Sequence, residues 1–473
     1  MEDYFKFAYS TASVKKIEQQ IISEGTEGFS LMMKAAQVAC KHLLSRSADQ
    51  IIILCGKGNN GGDGYGLAAL LSMANLKVDV FEVGLSTTPE AKLARKLCTN
   101  LGIRIERWNG NPRTGKWYVD ALLGSGISRK PEGLYRNAIE FLNLEKCNGK
   151  NILSLDIPSG LNGSTGEGYG LVVQASETIT FLAMKKGLLT GSAVDYTGQI
   201  TFNNLGVEKY SETADAQILK EEDCDLGLLK PSAHKGDRGN VIVLGGIQGM
   251  EGAGILAGLA ALKAGAGKVY WITNTRSLQR PPELITVEPK ADTVSKLLSA
   301  CRVCVLGPGL GVGLEDLIKT IWKSSMPIVL DADGLRWLAK ELPSKRVGKL
   351  IGTPHPGEAK HLVGSKRMDR FETIEYLKEY FGGEWVLKGA GTLIHESQKL
   401  WINNLNSPQL GTAGSGDVLA GLIAGLWSVG SESPARTGVW LHSHFASEAL
   451  KAQSAPFLTA TDLLKQKKNS EIS

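Results

Sequence analysis

IIILCGKGNNGGDGYGLAALLSMA, residues 51–74, decides the fold of the first half of the chain. The run IIILC has no polar position, as a strand covered on both faces should read. It passes into a glycine-rich segment, Gly56 to Gly66, and then into the apolar helix LAALLSMA. A loop at the carboxyl end of a strand that feeds a helix N-terminus presents free backbone N–H groups, which can hold phosphate. Many glycine loops are only tight turns, but Asn59, Asn60 and Asp63 also bring side-chain donors and acceptors to this one.

Outward from this segment the pattern repeats. LKVDVFEVG, GIRIERW, KWYVDALLG, NILSLDIPSG and ETITFLA are short strand-like runs separated by amphipathic stretches. Such alternation predicts an α/β fold with a doubly wound, mostly parallel sheet. Ahead of it, Ile17, Ile21, Ile22, Leu31, Met32, Ala35 and Ala36 fall at helical spacing, so residues 1 to about 45 should form a helical cover. A second series follows with NVIVLGG, GKVYWIT, CRVCVLGPG, PIVLDADGL and EWVLKGAG. The two series share no motif order, and 473 residues exceed what one hydrophobic core supports. We therefore expect two different domains, residues 1–210 and 225–473, joined by the polar stretch KYSETADAQILKEEDCD at 209–225.

Bulk properties exclude several functions. A formal net charge of +5 is too dilute over this length for a nucleic-acid partner, and the chain has no long basic block. MEDYFKFAYS lacks a basic region followed by an apolar core, and nothing approaches the ~18 uninterrupted apolar residues of a membrane span. No membrane partner is expected. Seven cysteines, an odd number scattered through apolar segments, suggest a reducing, cytoplasmic setting. Cys301 and Cys304 are spaced like a metal or redox pair, but on a strand they point to opposite faces, and no second pair completes a zinc site.

Two more strand ends should meet the first glycine loop, because open α/β sheets gather their functional loops along one edge. They carry Asp120 in VDALLGSG and Asp156 in LSLDIPSG. Either aspartate alone could be a helix cap, whereas two in corresponding places favour function. The motifs GNNGGDG, DALLGSG, DIPSGLNG and TFLAMKKGLLTG resemble those of the NAD(P)H-hydrate epimerases over residues 1–210. The resemblance implies a Rossmann-like domain in which Asn59, Asn60, Gly61, Gly62 and Asp63, with Gly124, Ser125, Gly126, Ile127, Ser128, Arg129 and Lys130, hold the substrate. It implies that Asp156 acts on the hydroxylated ring carbon, and that K+ is held by Asn60, Asp120 and Ser159, oxygen ligands suited to a hard cation. Two departures stand out: LMMKAA replaces a motif that commonly has acid and glycine, and Asn162 stands where aspartate is usual.

The strongest signal in the second series is SPQLGTAGSGDVLAGLIAGL, Ser407 to Leu426, a glycine-rich turn running into a helix with Asp417 in its first turn. The turn and helix dipole suit a nucleotide's phosphates. A carboxylate beside that cradle is badly placed unless it removes a proton from a hydroxyl attacking phosphorus. The turn resembles the anion hole and base of ribokinase-like enzymes. HKGDRGNVIVLGG, GPGLG, LDADGL, TPHPGEAKHL and VLKGAGTLI narrow the likeness to the NAD(P)H-hydrate dehydratases, from about residue 225 to 465.

This second resemblance implies nucleotide binding by Lys388, Gly389, Ala390, Gly391 and Thr392. It adds Ser407, Pro408, Gln409, Leu410, Gly411, Thr412, Ala413, Gly414, Ser415 and Gly416. Ala253, Gly309, His355 and Asp417 are implied to touch the hydrate, and Glu251 departs from a small or neutral position beside them. The expected activity is repair of hydrated NAD(P)H with ADP, or ATP, as co-substrate and Mg2+ bridging its phosphates. A homo-oligomer is expected. The rivals are an ATP-dependent kinase for a sugar or vitamin alcohol fused to a nucleotide-binding domain, and a nucleotide sensor without turnover.

Overall fold

The computed structural model describes residues 6–110, 114–207, 214–227, 238–275, 280–342, 345–452 and 456–465. The chain divides into two compact units, Met1–Ile218 and Leu219–Ser473.

The first unit runs β1 (Phe7–Ala8), α1 (Thr11–Ser23), α2 (Gly28–Ser45), β2 (Ile51–Cys55), α3 (Asn59–Met73), β3 (Val78–Glu82), α4 (Pro89–Asn100), β4 (Ile105–Arg107), β5 (Trp117–Ala121), α5 (Gly133–Cys147), β6 (Asn151–Leu155), β7 (Glu177–Phe181), β8 (Gln199–Asn203) and β9 (Ala216–Ile218). Its sheet has the order β4-β3-β2-β5-β6-β7-β8 with every pairing parallel. This is the doubly wound, Rossmann-like arrangement that the strand-like runs predict. Ile51 to Cys55 are fully buried because α2, α3 and α4 cover one face while α5 covers the other. The order of winding reverses between the parallel strands β2 and β5, and a crevice opens at their carboxyl ends.

The helical cover is present as α1 and α2, which bury Ile17, Ile21, Leu31, Met32, Ala35 and Ala36; Ile22 is exposed. The 209–225 stretch is more than a connection. Ala216–Ile218 forms β9, which pairs antiparallel with β1, so the first unit extends past residue 210 to Ile218. Three residues are too few to show strand periodicity.

The second unit contains β10 (Asn240–Leu244), α6 (Glu251–Lys263), β11 (Lys268–Ile272), β12 (Leu284–Val287), α7 (Ala291–Ala300), β13 (Val303–Leu306), α8 (Glu315–Lys323), β14 (Ile328–Leu330), α9 (Ala332–Glu341), β15 (Leu350–Gly352), α10 (Pro356–Val363), α11 (Arg370–Phe381), β16 (Glu384–Leu387), β17 (Thr392–Glu396), β18 (Lys399–Asn403), α12 (Ser415–Ser428) and α13 (Pro434–Ala452). Its strands follow the order β18-β17-β16-β15-β14-β13-β10-β11-β12, parallel except for the antiparallel β16–β17–β18 edge. The order reverses beside β10, so the loops after β10, β13, β14, β15 and β16 share one edge. The helix bearing Asp417, α12, lies close against α6: a Cβ on Gly421 would sit 2.1 Å from the Ala257 carbonyl oxygen, and one on Gly425 2.4 Å from that of Ala261. Among the described residues no helix is long and apolar enough to cross a membrane.

Candidate active sites

The first glycine segment is not a loop along its whole length. Helix α3 begins at Asn59, so Asn59 to Asp63 form its first turn, with Gly58 as N-cap. The glycines permit close packing: a Cβ on Gly61 would sit 1.9 Å from the Gly56 carbonyl oxygen, and one on Gly64 2.6 Å from the Ala121 Cβ. The helix N-terminus is thereby drawn onto the ends of β2 and β5.

In front of it lies a cavity of about 650 Å³. Asn59, Asn60, Asp63, Gly124, Ser125, Gly126, Ile127 and Asp156 all line it, bringing three separate motifs together. Gly61 and Gly62 are buried and absent from its lining, and Ser128, Arg129 and Lys130 are exposed outside it. Leu31, Met32 and Ala35 of the departing LMMKAA motif form part of its wall. Asn162 instead holds its own turn, accepting from the backbone N–H of Ser164 at 2.8 Å.

Asp156 follows β6 with φ at 64°, a left-handed conformation costly for most residues with a side chain. Its carboxylate ion-pairs with Lys185, whose ammonium is buried and also donates to the Phe181 carbonyl at 2.7 Å. The side chain of Asp63 has no hydrogen-bond partner among the described residues. Burial, then the charges of Asp156 and Glu18, hold its carboxyl well above the usual range, with Lys185 opposing. Glu18 is raised by burial first and by Asp156 second.

Sequence reasoning passed over Glu18 and Lys185, both of which line the cavity. The signal for Glu18 is an acid on the stripe of Val14, Ile17 and Ile21, which are buried in α1. For Lys185 it is a cation following a strand at the same carboxyl edge.

Asp120 lies fully buried beneath the cavity, accepting from Leu122 N–H (3.2 Å), Ser154 Oγ (2.8 Å), Ser159 N–H (2.8 Å) and Ser159 Oγ (2.5 Å). Burial raises its carboxyl despite these donors. The buried Asn60 amide is different: among the described residues, neither its oxygen nor its nitrogen has a hydrogen-bond partner. An orphaned amide oxygen is a costly feature that a cation would relieve. Glu82, at the end of β3 where dinucleotide-binding sheets carry a ribose-binding acid, is instead tied to Tyr65 Oη (2.9 Å) and Arg95 Nε (2.6 Å).

In the second unit, Gly414 caps α12 with φ at 88°, and a Cβ there would meet Leu256 of α6 at 2.6 Å. Asp417 follows in the first turn. Its carboxyl is pushed up to about 7 by burial and then by Asp331, against the pull of Lys388, with Glu358 and Asp333 adding to the rise. Lys388 is held inward, 2.8 Å from Asp331 and 3.9 Å from Glu358. Burial lowers the lysine, but Asp331 and Glu358 outweigh it and leave it raised. The rest of its segment bends away through Gly389 (φ 123°) and Gly391 (φ 57°), and the Gly391 N–H donates to Asn406 Oδ1 at 2.7 Å. Thr392 opens β17.

Ser407 precedes a short turn through Pro408, Gln409 and Leu410, and Ser415 Oγ donates to the Leu410 carbonyl at 2.6 Å. Gly309 (φ 54°) meets Ala253: a Cβ on the glycine would lie 3.1 Å from that of the alanine. His355 caps α10, its Nδ1 accepting from Gly357 N–H at 3.0 Å and Glu358 N–H at 3.3 Å. The other ring nitrogen, Nε2, must then carry the proton, and on the half-exposed ring it lies 3.5 Å from Glu358 Oε1. Glu251 accepts from Gly249 N–H (2.9 Å) and Thr275 Oγ1 (2.8 Å), which ties down the turn before α6. His234 to Asp237 of the HKGD motif lie outside the described residues.

Comparison with known proteins finds a family model described as NAD(P)H-hydrate dehydratase over residues 241–469. A second, described as YjeF-related protein N-terminus, matches residues 28–187. The bifunctional NAD(P)H-hydrate repair enzyme Nnr of Coxiella burnetii is 37% identical over 96% of this chain and 97% of its own length. That of Escherichia coli is 37% identical over 84% and 80%. A crystal structure of the ADP/ATP-dependent NAD(P)H-hydrate dehydratase from Bacillus subtilis, co-crystallised with ATP/Mg2+, is 30% identical over 50% of this chain and 90% of its own, with a TM-score of 0.43.

Proposed function

The chain belongs to the family of bifunctional NAD(P)H-hydrate repair enzymes, and from that premise we propose how its residues divide the work. The enzyme restores hydrated NAD(P)H, joining epimerisation of the hydrates to their dehydration. We assign epimerisation to Met1–Ile218 and nucleotide-dependent dehydration of the S hydrate, with ADP favoured, to Leu219–Ser473.

The observation that carries the dehydratase assignment is Asp417, a carboxyl held near 7 at a glycine-led helix N-terminus. An ordinary carboxylate is too weak a base for a hydroxyl, whereas one near neutrality is matched to the task. Asp417 takes the proton of the hydrate's hydroxyl as its oxygen attacks the terminal phosphorus of ADP, and AMP departs. The C–O bond then breaks with electron push from the ring nitrogen, phosphate leaving with the bonding pair. Loss of a proton from the adjacent carbon restores the dihydronicotinamide double bond. Backbone N–H groups between Ser407 and Gly416 and between Lys388 and Thr392 cradle the nucleotide. Ala253, Gly309 and His355 hold the hydrate. Mg2+, when bound, would offset the negative charge that builds on the nucleotide's phosphates.

In the first unit Asp156, fixed by Lys185, acts at the hydroxylated ring carbon of a substrate held by the α3 first turn and the segment after β5. K+ fits the orphaned oxygen of Asn60 with Asp120 and Ser159, and would supply positive charge beside the buried Asp120. We further propose a cytoplasmic homo-oligomer.

Purified protein incubated with hydrated NADH and either ADP or ATP tests the assignment by recovery of dihydronicotinamide absorbance. Recovery should be faster with ADP. A stable phosphorylated hydrate without recovery would make the second unit a kinase instead.

A further inference from the structure

Four charged side chains from four elements meet beneath the start of α12. Asp331 follows β14 and caps α9, Glu358 stands in the first turn of α10, Lys388 follows β16 and Asp417 stands in the first turn of α12. Lys388 is 2.8 Å from Asp331 and 3.9 Å from Glu358. The helix start comes down on the pair closely: a Cβ on Gly416 would lie 3.1 Å from the Lys388 ammonium and 3.6 Å from Asp331 Oδ2. Asp331 and Glu358 are buried, and Gly416, which approaches both the lysine and Asp331, is the residue immediately before Asp417.

A lysine that served only to reach phosphate would gain nothing from this arrangement. Held between two buried acids, its charge is fixed and largely neutralised before any nucleotide arrives. We propose that the Asp331–Lys388 pair is a positioning device for Asp417, fixing the charge beneath its carboxyl and thereby the pH at which Asp417 takes a proton from the hydrate. The proposal rests on the dehydratase reading of the second unit. Its physical content is a balance of opposed fields. Asp331, Glu358 and Asp333 make the proton of Asp417 harder to lose, and Lys388 makes it easier. From α13, the buried His442 is pushed down to about 4 and stays neutral, adding no charge.

The pair therefore has a signature that a structural ion pair lacks: its two members should move the base in opposite directions. The test is the pH profile of kcat for dehydration at saturating ADP, where the acidic limb reports the base in the bound complex. Asp331→Asn should displace that limb to lower pH by about one unit, and Lys388→Met to higher pH by about one unit. The double variant should return it close to wild type. Glu358→Gln, which leaves the Asp331–Lys388 pair intact, should displace it downward and serves if either single variant is unstable. A structural pair predicts slower turnover with the limb unmoved in all of them, and limbs unmoved or displaced the same way by Asp331→Asn and Lys388→Met overturn the proposal. Absence of turnover in wild type would overturn the dehydratase reading. Titration of the Asp417 carboxyl by 13C NMR, assigned through its loss in Asp417→Asn, then reads the same displacements without turnover.

Discussion

Asp156 and Asp417 are both carboxylates at element ends, and the fold surrounds them differently. Asp156 has a lysine against it, whereas burial and then the charge of Asp331 push Asp417 up to about 7. Asp417→Asn should lower dehydration by roughly 100-fold or more, the usual worth of a positioned base. ADP titration should show binding largely intact, because the N–H cradle remains; near-normal turnover would remove Asp417 from its assigned role. The same group has a stability consequence with a definite sign. A carboxyl whose folded value lies above its unfolded one stabilises the protein fully below the unfolded value, and that contribution is lost as pH rises through about 7. Asp417→Asn should thus melt above wild type at pH 8 and lose that advantage by pH 4, measured by thermal denaturation. At the other site, Asn60→Leu should abolish any preference of epimerisation for K+ over Na+; a preference that persists would place the cation elsewhere.

At the scale of elements, glycines set the distance between layers. Gly61→Ala pushes a methyl into the Gly56 carbonyl and should cost the first unit roughly 1–3 kcal/mol. Epimerisation should then heat-inactivate at a lower temperature while dehydration keeps its own; unchanged heat tolerance of both would contradict the packing described. How much could be read beforehand follows the same logic of layers. Strands such as β2, β13 and β14 are covered on both faces and advertise themselves as unbroken apolar runs. The hairpin β17–β18 did not, because its turn places Ser397 (φ 51°) and Gln398 (φ 62°) in left-handed conformations without the asparagine or glycine that marks such turns. Motif residues at strand ends were legible as a set, since the sheet edge gathers them. Glu18 and Lys185 were not, because their position depends on how α1 and the segment after β7 close over the cavity.

At the scale of the whole chain the two chemistries should be separable by substitution. On a mixture of hydrate epimers the wild type should run to completion in one phase. Asp156→Asn should consume the epimer that the dehydratase accepts and then slow to the rate of spontaneous epimerisation. Asparagine is the substitution of choice because it tolerates the left-handed φ at this position, whereas alanine would mix backbone strain with lost chemistry. A one-phase trace at wild-type rate would show that Asp156 is not the epimerising residue. The pairing of β1 brings in the order of synthesis. Tyr9 exchanges backbone hydrogen bonds with Met184 and Lys186, bracketing Lys185, and Phe7 and Ala8 pair with Gln217 and Ala216. Residues 7–9 are therefore made long before either partner, and the segment holding the cavity's lysine gains its neighbour only after residue 186 has been made. The last of those partners is made just before the second unit begins, so a chain ending at 210 lacks the partner of Phe7 and Ala8, while one ending at 218 contains it.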